Sequence, residues 1–257
     1  LRTTRSRLDE FQVQIPWAEV PQTFRDAIDL TRRLGIYYIW IDALCIVQDD
    51  LDDWRREGSR MADVYRNSYL TISAALSSHS AGGCYTKSPQ YLFRSIPITH
   101  WDGDDENPEY PLLDRGWVLQ ERILSRRVVH FTPAELWWEC QTLSDCECSR
   151  MDLAVDPTKP PEHLLSQWYE IVEAYAKKDL TVQSDIFPAL QGIAKEFHRV
   201  FQTSYCAGLW ESSLIIELLW RDGRTHRPHD KRQYLLRPRQ YRAPSWSWAS
   251  TMGQIIY

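Results

Sequence analysis

Between Tyr37 and Trp54 the sequence YYIWIDALCIVQDDLDDW runs from an apolar stretch into a cluster of acids, with Asp42, Cys45 and Gln48 set along it and Glu57 three residues beyond Trp54. Laid on a helix starting at Leu51, at about 100° per residue, Trp54, Glu57, Gly58, Met61, Ala62, Val64 and Tyr65 fall on one side with Leu51. Arg55, Arg56, Ser59, Arg60 and Asp63 face away, which leaves Glu57 as the charged group inside the stripe. A carboxylate on the buried side of a helix is costly unless it is paired. Glu57 is therefore either a structural partner for a cation or loop amides, or an acid held for chemistry. Asp42 and Gln48 flank the loop after the apolar run, and both can bond hydroxyl or amide groups of a ligand; the competing reading gives Asp42 to the loop backbone through an Asx turn. Cys45 has no base near it in sequence and reads as a small buried hydrophobe.

A second constellation lies in DRGWVLQERILS, where helical spacing puts Trp117, Gln120, Glu121 and Leu124 on one face. Glu121 is the rival carboxylate, although Arg115 or Arg122 can pair with it locally, and the segment reads as support for a pocket or for a neighbouring domain. Cys140, Cys146 and Cys148, with His130, raise the question of zinc, but C-x5-C-x-C lacks paired C-x2-C knuckles, so free thiols are expected and no metal site. His79, His100, His163, His198, His226 and His229 show no partner pattern.

These residues need elements to hold them. VPQTFRDAIDLTRRLG predicts a helix with Pro21 in its first turn, a stripe through Phe24, Ala27, Ile28, Thr31 and Leu34, and Gly35 as its stop. Ile36 to Ile41 is continuously apolar and predicts a buried strand ending at Asp42. Asp49, Asp50 and Asp52 offer capping chemistry for a helix from about Leu51 to Arg66, and SYLTISAA predicts the next strand. Helix, strand, helix, strand implies a parallel sheet with helices on both faces and ligands at the carboxyl ends of strands. Ser77 to Pro111 reads as a loop, and RVVHFTPAELWWEC as two strands joined by a turn at Thr132 to Ala134. Residues 149–162 read as a linker, and 163–202 as two helices. The second helix is expected to be capped by Ser184 or Asp185, with Pro188 in its first turn and Ile186, Leu190, Ile193, Phe197 and Phe201 on one face. SLIIELLW and APSWSWAS predict closing strands.

Composition narrows the class. The chain has 257 residues, enough for one large domain or one and a half ordinary ones, with 43% hydrophobic and 25% charged residues. Twelve Trp and thirteen Tyr exceed what such a core needs, and bulky interlayer packing is the commonest use for a surplus. Thirty Lys and Arg against 35 Asp and Glu give −5, which argues against a nucleic-acid binder. Residues 221–242 carry a local basic excess, read as a solvated loop with an anionic partner as the minor alternative. The six cysteines form no framework and no Asn-x-Ser/Thr sequon occurs, which fits a reducing, cytoplasmic setting. No stretch is long enough to span a membrane. The chain opens on Leu1 without Met or a signal peptide, which predicts that it begins partway into a longer protein.

With VPQTFRDAIDLTRRLG, YIWIDALCIVQDDLDDWRREGSRMADVYRNSYLTISAA, RGWVLQERILS and ELWWEC in that order, the chain resembles the fungal heterokaryon-incompatibility (HET) domain family. YCAGLW and YRAPSWSWAS resemble the companion region that often follows. The Ser-Tyr-x-Trp-Gly-like motif usual upstream of the first helix has no counterpart in residues 1–20. The resemblance implies a cell-death effector of non-self recognition. It also implies an α/β, TIR-like (flavodoxin-like) domain over residues 1–150, lacking its first strand motif, and a mixed helical and strand extension over 151–257. Some TIR domains hydrolyse NAD. By that resemblance Glu57 is the expected catalytic carboxylate, with Glu121 as rival, and Asp42, Gln48, Trp54, Trp117 and Gln120 are the residues expected around the nucleotide. NAD is then a substrate and no cofactor is permanently bound. Self-association is expected, and the alternative is a non-enzymatic assembly module acting through partners.

Overall fold

The computed structural model describes residues 1–85, 110–132, 136–140, 144–145, 161–223 and 237–257. The chain divides into two compact units, one formed by Leu1–Leu113 with Ser125–Asp152, the other by Asp114–Leu124 with Leu153–Tyr257.

In the first unit a short helix α1 (Leu8–Val13) precedes α2 (Gln22–Arg33), α3 (Asp42–Cys45) and α4 (Leu51–Asn67). Helix α2 ends where Gly35 takes φ +71°. The Gly35 N–H then reaches the Arg32 carbonyl at 2.9 Å and the Ile36 N–H the Thr31 carbonyl at 3.0 Å, a closure that needs a residue tolerant of the left-handed region. The α2 stripe buries Ala27 and Thr31 but leaves Leu34 exposed, because the helix has already turned away; Leu30 instead packs near Ala74, Cys84 and Phe131.

Strands β1 (Thr71–Ser73), β2 (Arg127–Phe131), β3 (Leu136–Cys140) and β4 (Ser144–Asp145) form a sheet in that order, parallel between β1 and β2 and antiparallel thereafter. The α/β class is as expected, with a small mixed sheet. The β2–β3 hairpin also forms, with Val129 opposite Trp138 and His130 opposite Trp137; residues 133–135 of its turn lie outside the described residues. Most of the expected loop, 86–109, lies outside them as well.

Ile36–Ile41 corrects the sequence reading. It is not a strand, since among the described residues none runs alongside to take its N–H and C=O groups. Tyr37 and Tyr38 are 92% and 90% exposed, while Trp40 packs edge-on against Tyr65 with ring centroids 5.8 Å apart.

The second unit contains α5 (Gly116–Leu124), α6 (Pro161–Ala176) and α7 (Gln191–Phe201), a short ribbon β5 (Tyr205–Cys206) to β6 (Leu209–Trp210), a short α8 (Leu214–Glu217), and a second ribbon β7 (Arg221–Asp222) to β8 (Ile255–Ile256). Its core explains much of the aromatic surplus. Leu164, Trp168, Ile171, Val172 and Tyr175 recur at three- and four-residue steps on α6 and are buried. Trp168 meets Phe197 at 5.2 Å and Trp210 at 5.4 Å, both edge-on. Such pairs add about 0.5–1.5 kcal/mol beyond burial.

Three expectations for this unit change. Residues 183–190 form two 3-10 turns, so α7 begins at Gln191 rather than near Ser184, although Ile186, Leu190, Ile193 and Phe197 do share the buried face. SLIIELLW turns helical at Leu214–Glu217, because the group it buries is the Glu217 carboxylate while Ile215, Ile216 and Leu219 face outward. APSWSWAS ends in a 3-10 turn at Trp248–Ser250, where the Ser247 hydroxyl oxygen accepts from the Ala249 N–H at 3.1 Å and its O–H donates to the Ala207 carbonyl at 2.6 Å. Its Ser and Ala residues meet capping demands that a strand would not.

Candidate functional site

Helix α4 is fixed at its start by Asp50, whose side chain accepts from the N–H groups of Asp52 (3.0 Å) and Asp53 (3.2 Å) and pairs with Arg5 at 3.0 Å. The Asp53 amide first, then Arg5, hold the Asp50 carboxyl below the usual carboxylate range. The loop before α4 is tied down from several sides. The Thr3 N–H donates to the Ala43 carbonyl at 2.9 Å, the Thr3 hydroxyl to Leu44 at 2.7 Å, and the Gln48 N–H to the Thr3 carbonyl at 2.9 Å. The Arg5 N–H donates to Asp49 at 2.7 Å.

The carboxylate buried deepest on α4 is Asp53, at 8% exposure. One oxygen accepts from the Val47 N–H at 2.7 Å and the other from Arg56. Glu57 follows one turn later with its side chain 18% exposed, bracketed by Arg56 at 3.4 Å and Arg60 at 3.5 Å. Glu57 is thus not the lone acid on that side. The Asp53 to Glu57 spacing of one helical turn was the signal in the sequence.

Asp42 opens α3, and its Oδ1 accepts from the Ala43 N–H at 2.7 Å, a bond to the next residue and not the two-residue reach of an Asx turn. The Gln48 side-chain amide donates to the carbonyls of Asp42 and Ile46, both at 3.1 Å. Among the described residues no hydrogen bond or ion pair joins Glu57 to Asp42 or Gln48. Trp54 is half-buried on α4. Cys45 is exposed, not buried, because it ends a one-turn helix whose side chains reach the surface. Desolvation of its sulfur raises the thiol above its ordinary value, and the charges of Asp42 and Glu57 add to that.

The residues of α5 lie in the other unit and are engaged there. The Gln120 side chain is 1% exposed and accepts the Gly192 N–H at 2.6 Å, capping the first turn of α7. The Trp117 indole N–H donates to Asp185 at 3.2 Å, and Glu121 is half-buried. On the β2–β3 hairpin, His130 stacks on Trp137 at 4.4 Å and its Nε2 lies 3.2 Å from Glu139. Cys140 sits opposite Arg127 at the far end of the hairpin, and Cys146 and Cys148 lie outside the described residues.

A family model described as heterokaryon incompatibility protein (HET) matches residues 2–121. This stretch is similar to a HET domain. It implies a role in heterokaryon incompatibility, and the acids of α4, the loop before them and the start of α5 as far as Glu121 fall inside it. No curated protein and no solved structure matches the chain. No helix among the described residues is long and apolar enough to cross a membrane.

Proposed function

We propose that the HET domain is a cell-death effector that cleaves NAD at its nicotinamide–ribose bond in the cytoplasm, with Glu57 as the principal carboxylate. The observation carrying this reading is the setting of Glu57. Its side chain is largely shielded, yet its partners Arg56 and Arg60 are 61% and 66% exposed. Ion pairs to such exposed groups contribute about 0–1 kcal/mol, so structure gives little reason for a charge there, whereas Asp53 already performs the structural task. An acid between two guanidiniums complements a dinucleotide, with the arginines matched to the diphosphate and the carboxylate to the ribose. In the reaction the bond from ribose C1′ to nitrogen breaks with its electron pair leaving on nicotinamide, which neutralises the pyridinium. Water adds at C1′ and loses a proton. The carboxylate steadies the oxocarbenium-like charge between those events. Asp42, Gln48 and Trp54 shape the surroundings, Glu121 is the rival acid, and no permanently bound cofactor is invoked.

Incubation of the purified chain with NAD should release nicotinamide. Glu57→Gln should slow that release by about 10²–10³-fold while melting like the parent. A variant that keeps the full rate moves the chemistry to Glu121, and an inert parent chain sinks the reaction altogether.

The second reading, assembly without chemistry, draws on the exposed Tyr37 and Tyr38 in a segment that belongs to no helix or strand. It expects a concentration-dependent increase in mass with no nicotinamide released. The two readings join if specific activity rises with protein concentration.

A further inference from the structure

Several polar atoms buried in the second unit meet no protein partner. The hydroxyls of Tyr169, Tyr205 and Tyr257 and the indole N–H groups of Trp168 and Trp210 are shielded from solvent, and among the described residues none of them reaches a hydrogen-bonding atom. Tyr205 lies opposite Trp210 in the β5–β6 ribbon with ring centroids 4.7 Å apart, and Trp168 meets both rings, at 5.8 Å and 5.4 Å. Tyr169, the next residue on α6, stacks on Tyr257 at 4.1 Å, and the Tyr257 N–H donates to Glu173 at 2.9 Å. Glu217 stands against the same ribbon. It is fully buried, and its carboxylate accepts from the Trp210 N–H at 3.0 Å and from the Ser213 hydroxyl. An ionised carboxylate offers about four acceptor positions, so these bonds leave about half of them unused.

From this arrangement we infer that the second unit encloses an ordered-water site, in which water accepts from the tyrosine hydroxyls and donates to the Glu217 carboxylate. Burying a hydroxyl without a partner is unfavourable, and native interiors leave few such groups. Here donors without acceptors and an acceptor with unused positions occur together. No hydrogen bond joins any of the three hydroxyls to the carboxylate, and a gap between polar groups beyond direct reach is where a bridging water belongs. The chemistry selects water over other small guests. A water takes two to four polar partners and can accept from a phenol while donating to a carboxylate. A metal ion would leave the phenol protons without an acceptor, and an apolar guest would satisfy neither side. The ring contacts are those of close aromatic packing, so the guest is small. Burial raises all three hydroxyls, Tyr169 to about 12, and the charge of Glu217 adds to each, so all three remain protonated donors at neutral pH. The site is independent of Glu57 and of NAD cleavage.

The test is a crystal structure of the full chain at a resolution that places waters, together with thermal melts of Tyr169→Phe, Tyr205→Phe and Tyr257→Phe. An ordered water is expected within about 3 Å of a Glu217 carboxylate oxygen and of at least one of the three hydroxyls. A hydroxyl bridged in this way loses a bond on conversion to Phe, so its variant should melt about 2–4 °C below the parent, the shift of roughly one net hydrogen bond in a chain near this size. A hydroxyl with no partner at all gives the opposite result, because its removal relieves a buried polar group and leaves the midpoint unchanged or higher. A direct bond from a tyrosine hydroxyl to Glu217 in place of a water, a carboxylate with no water beside it, or three Phe variants that all melt at or above the parent overturns the inference.

Discussion

Asp53 and Glu57 sit one turn apart on α4 and hold different partners, so their substitutions should separate. Asp53→Ala leaves the Val47 N–H without its acceptor and should cost about 1–3 kcal/mol, read from denaturant melts. Glu57→Gln loses contacts to exposed arginines alone and should cost less than about 1 kcal/mol. A Glu57 variant as unstable as the Asp53 variant would make Glu57 structural. Glu217 offers a third test. It is fully buried, accepts from the Ser213 hydroxyl and, at 3.0 Å, from the Trp210 N–H, and burial pushes its carboxyl above the ordinary range. A raised folded value means that the native state keeps its proton longer than the unfolded chain. The favourable contribution is therefore present below the ordinary value and lost as pH rises through the folded one. Glu217→Gln, with its carbonyl toward Trp210 and its amide toward Ser213, should be at least as stable as the parent at pH 7. The advantage should shrink toward the acid side. Paired melts at pH 7 and at about 4.5, the ordinary Glu value, check this, and a variant weaker at pH 7 than in acid would contradict it.

At the level of elements, the loop from Ala43 to Asp50 is shaped less by itself than by residues 3–5 and Asp53. Deleting residues 1–5 should expose the Gln48 amide to rapid hydrogen exchange, since its acceptor is the Thr3 carbonyl, while the amides of central α4 stay protected. Equal loss of protection along α4 would mean that the clamp holds the helix too. Helices α2, α4 and α5 and the β2–β3 hairpin were legible in the sequence because their signals are local: a stop glycine, an Asp cap, apolar steps of three and four, and alternation. Ile36–Ile41 was misread because a strand depends on a neighbour, and composition cannot supply one. SLIIELLW was misread because its buried residue is the acid and its aliphatics point outward, the reverse of the usual pattern. Of the candidate site, Glu57 was legible from helix spacing. The anchoring by Asp53 was not, since its partner is a backbone N–H in a loop, and the Gln120 contact with Gly192 spans too many residues for any local pattern to show.

Across the whole molecule, the second unit should leave a mark on alkaline stability. Lys178 sits near 8 in the folded protein against an ordinary 10.5, with desolvation as the main cause. Arg122 and Lys177 lower it further and Asp114 and Asp179 oppose that. Between those values the unfolded chain holds more protons than the native one, so stability should rise with pH through that window. Lys178→Met should flatten the rise. The window is best read below pH 10, because Tyr175, Tyr205 and Tyr257, all raised by burial, act in the opposite direction above their ordinary value of 10.0. In the first unit, the run IYYIWI is six residues long, uncharged, free of proline and rich in β-formers, with two tyrosines in solvent. Such a run is a template on which further copies can stack into cross-β fibrils. Warming a concentrated sample should therefore produce thioflavin-positive precipitate after a lag. Tyr38→Lys should lengthen that lag by placing a charge in every layer of the stack, without lowering the melting temperature of a side chain that touches so little.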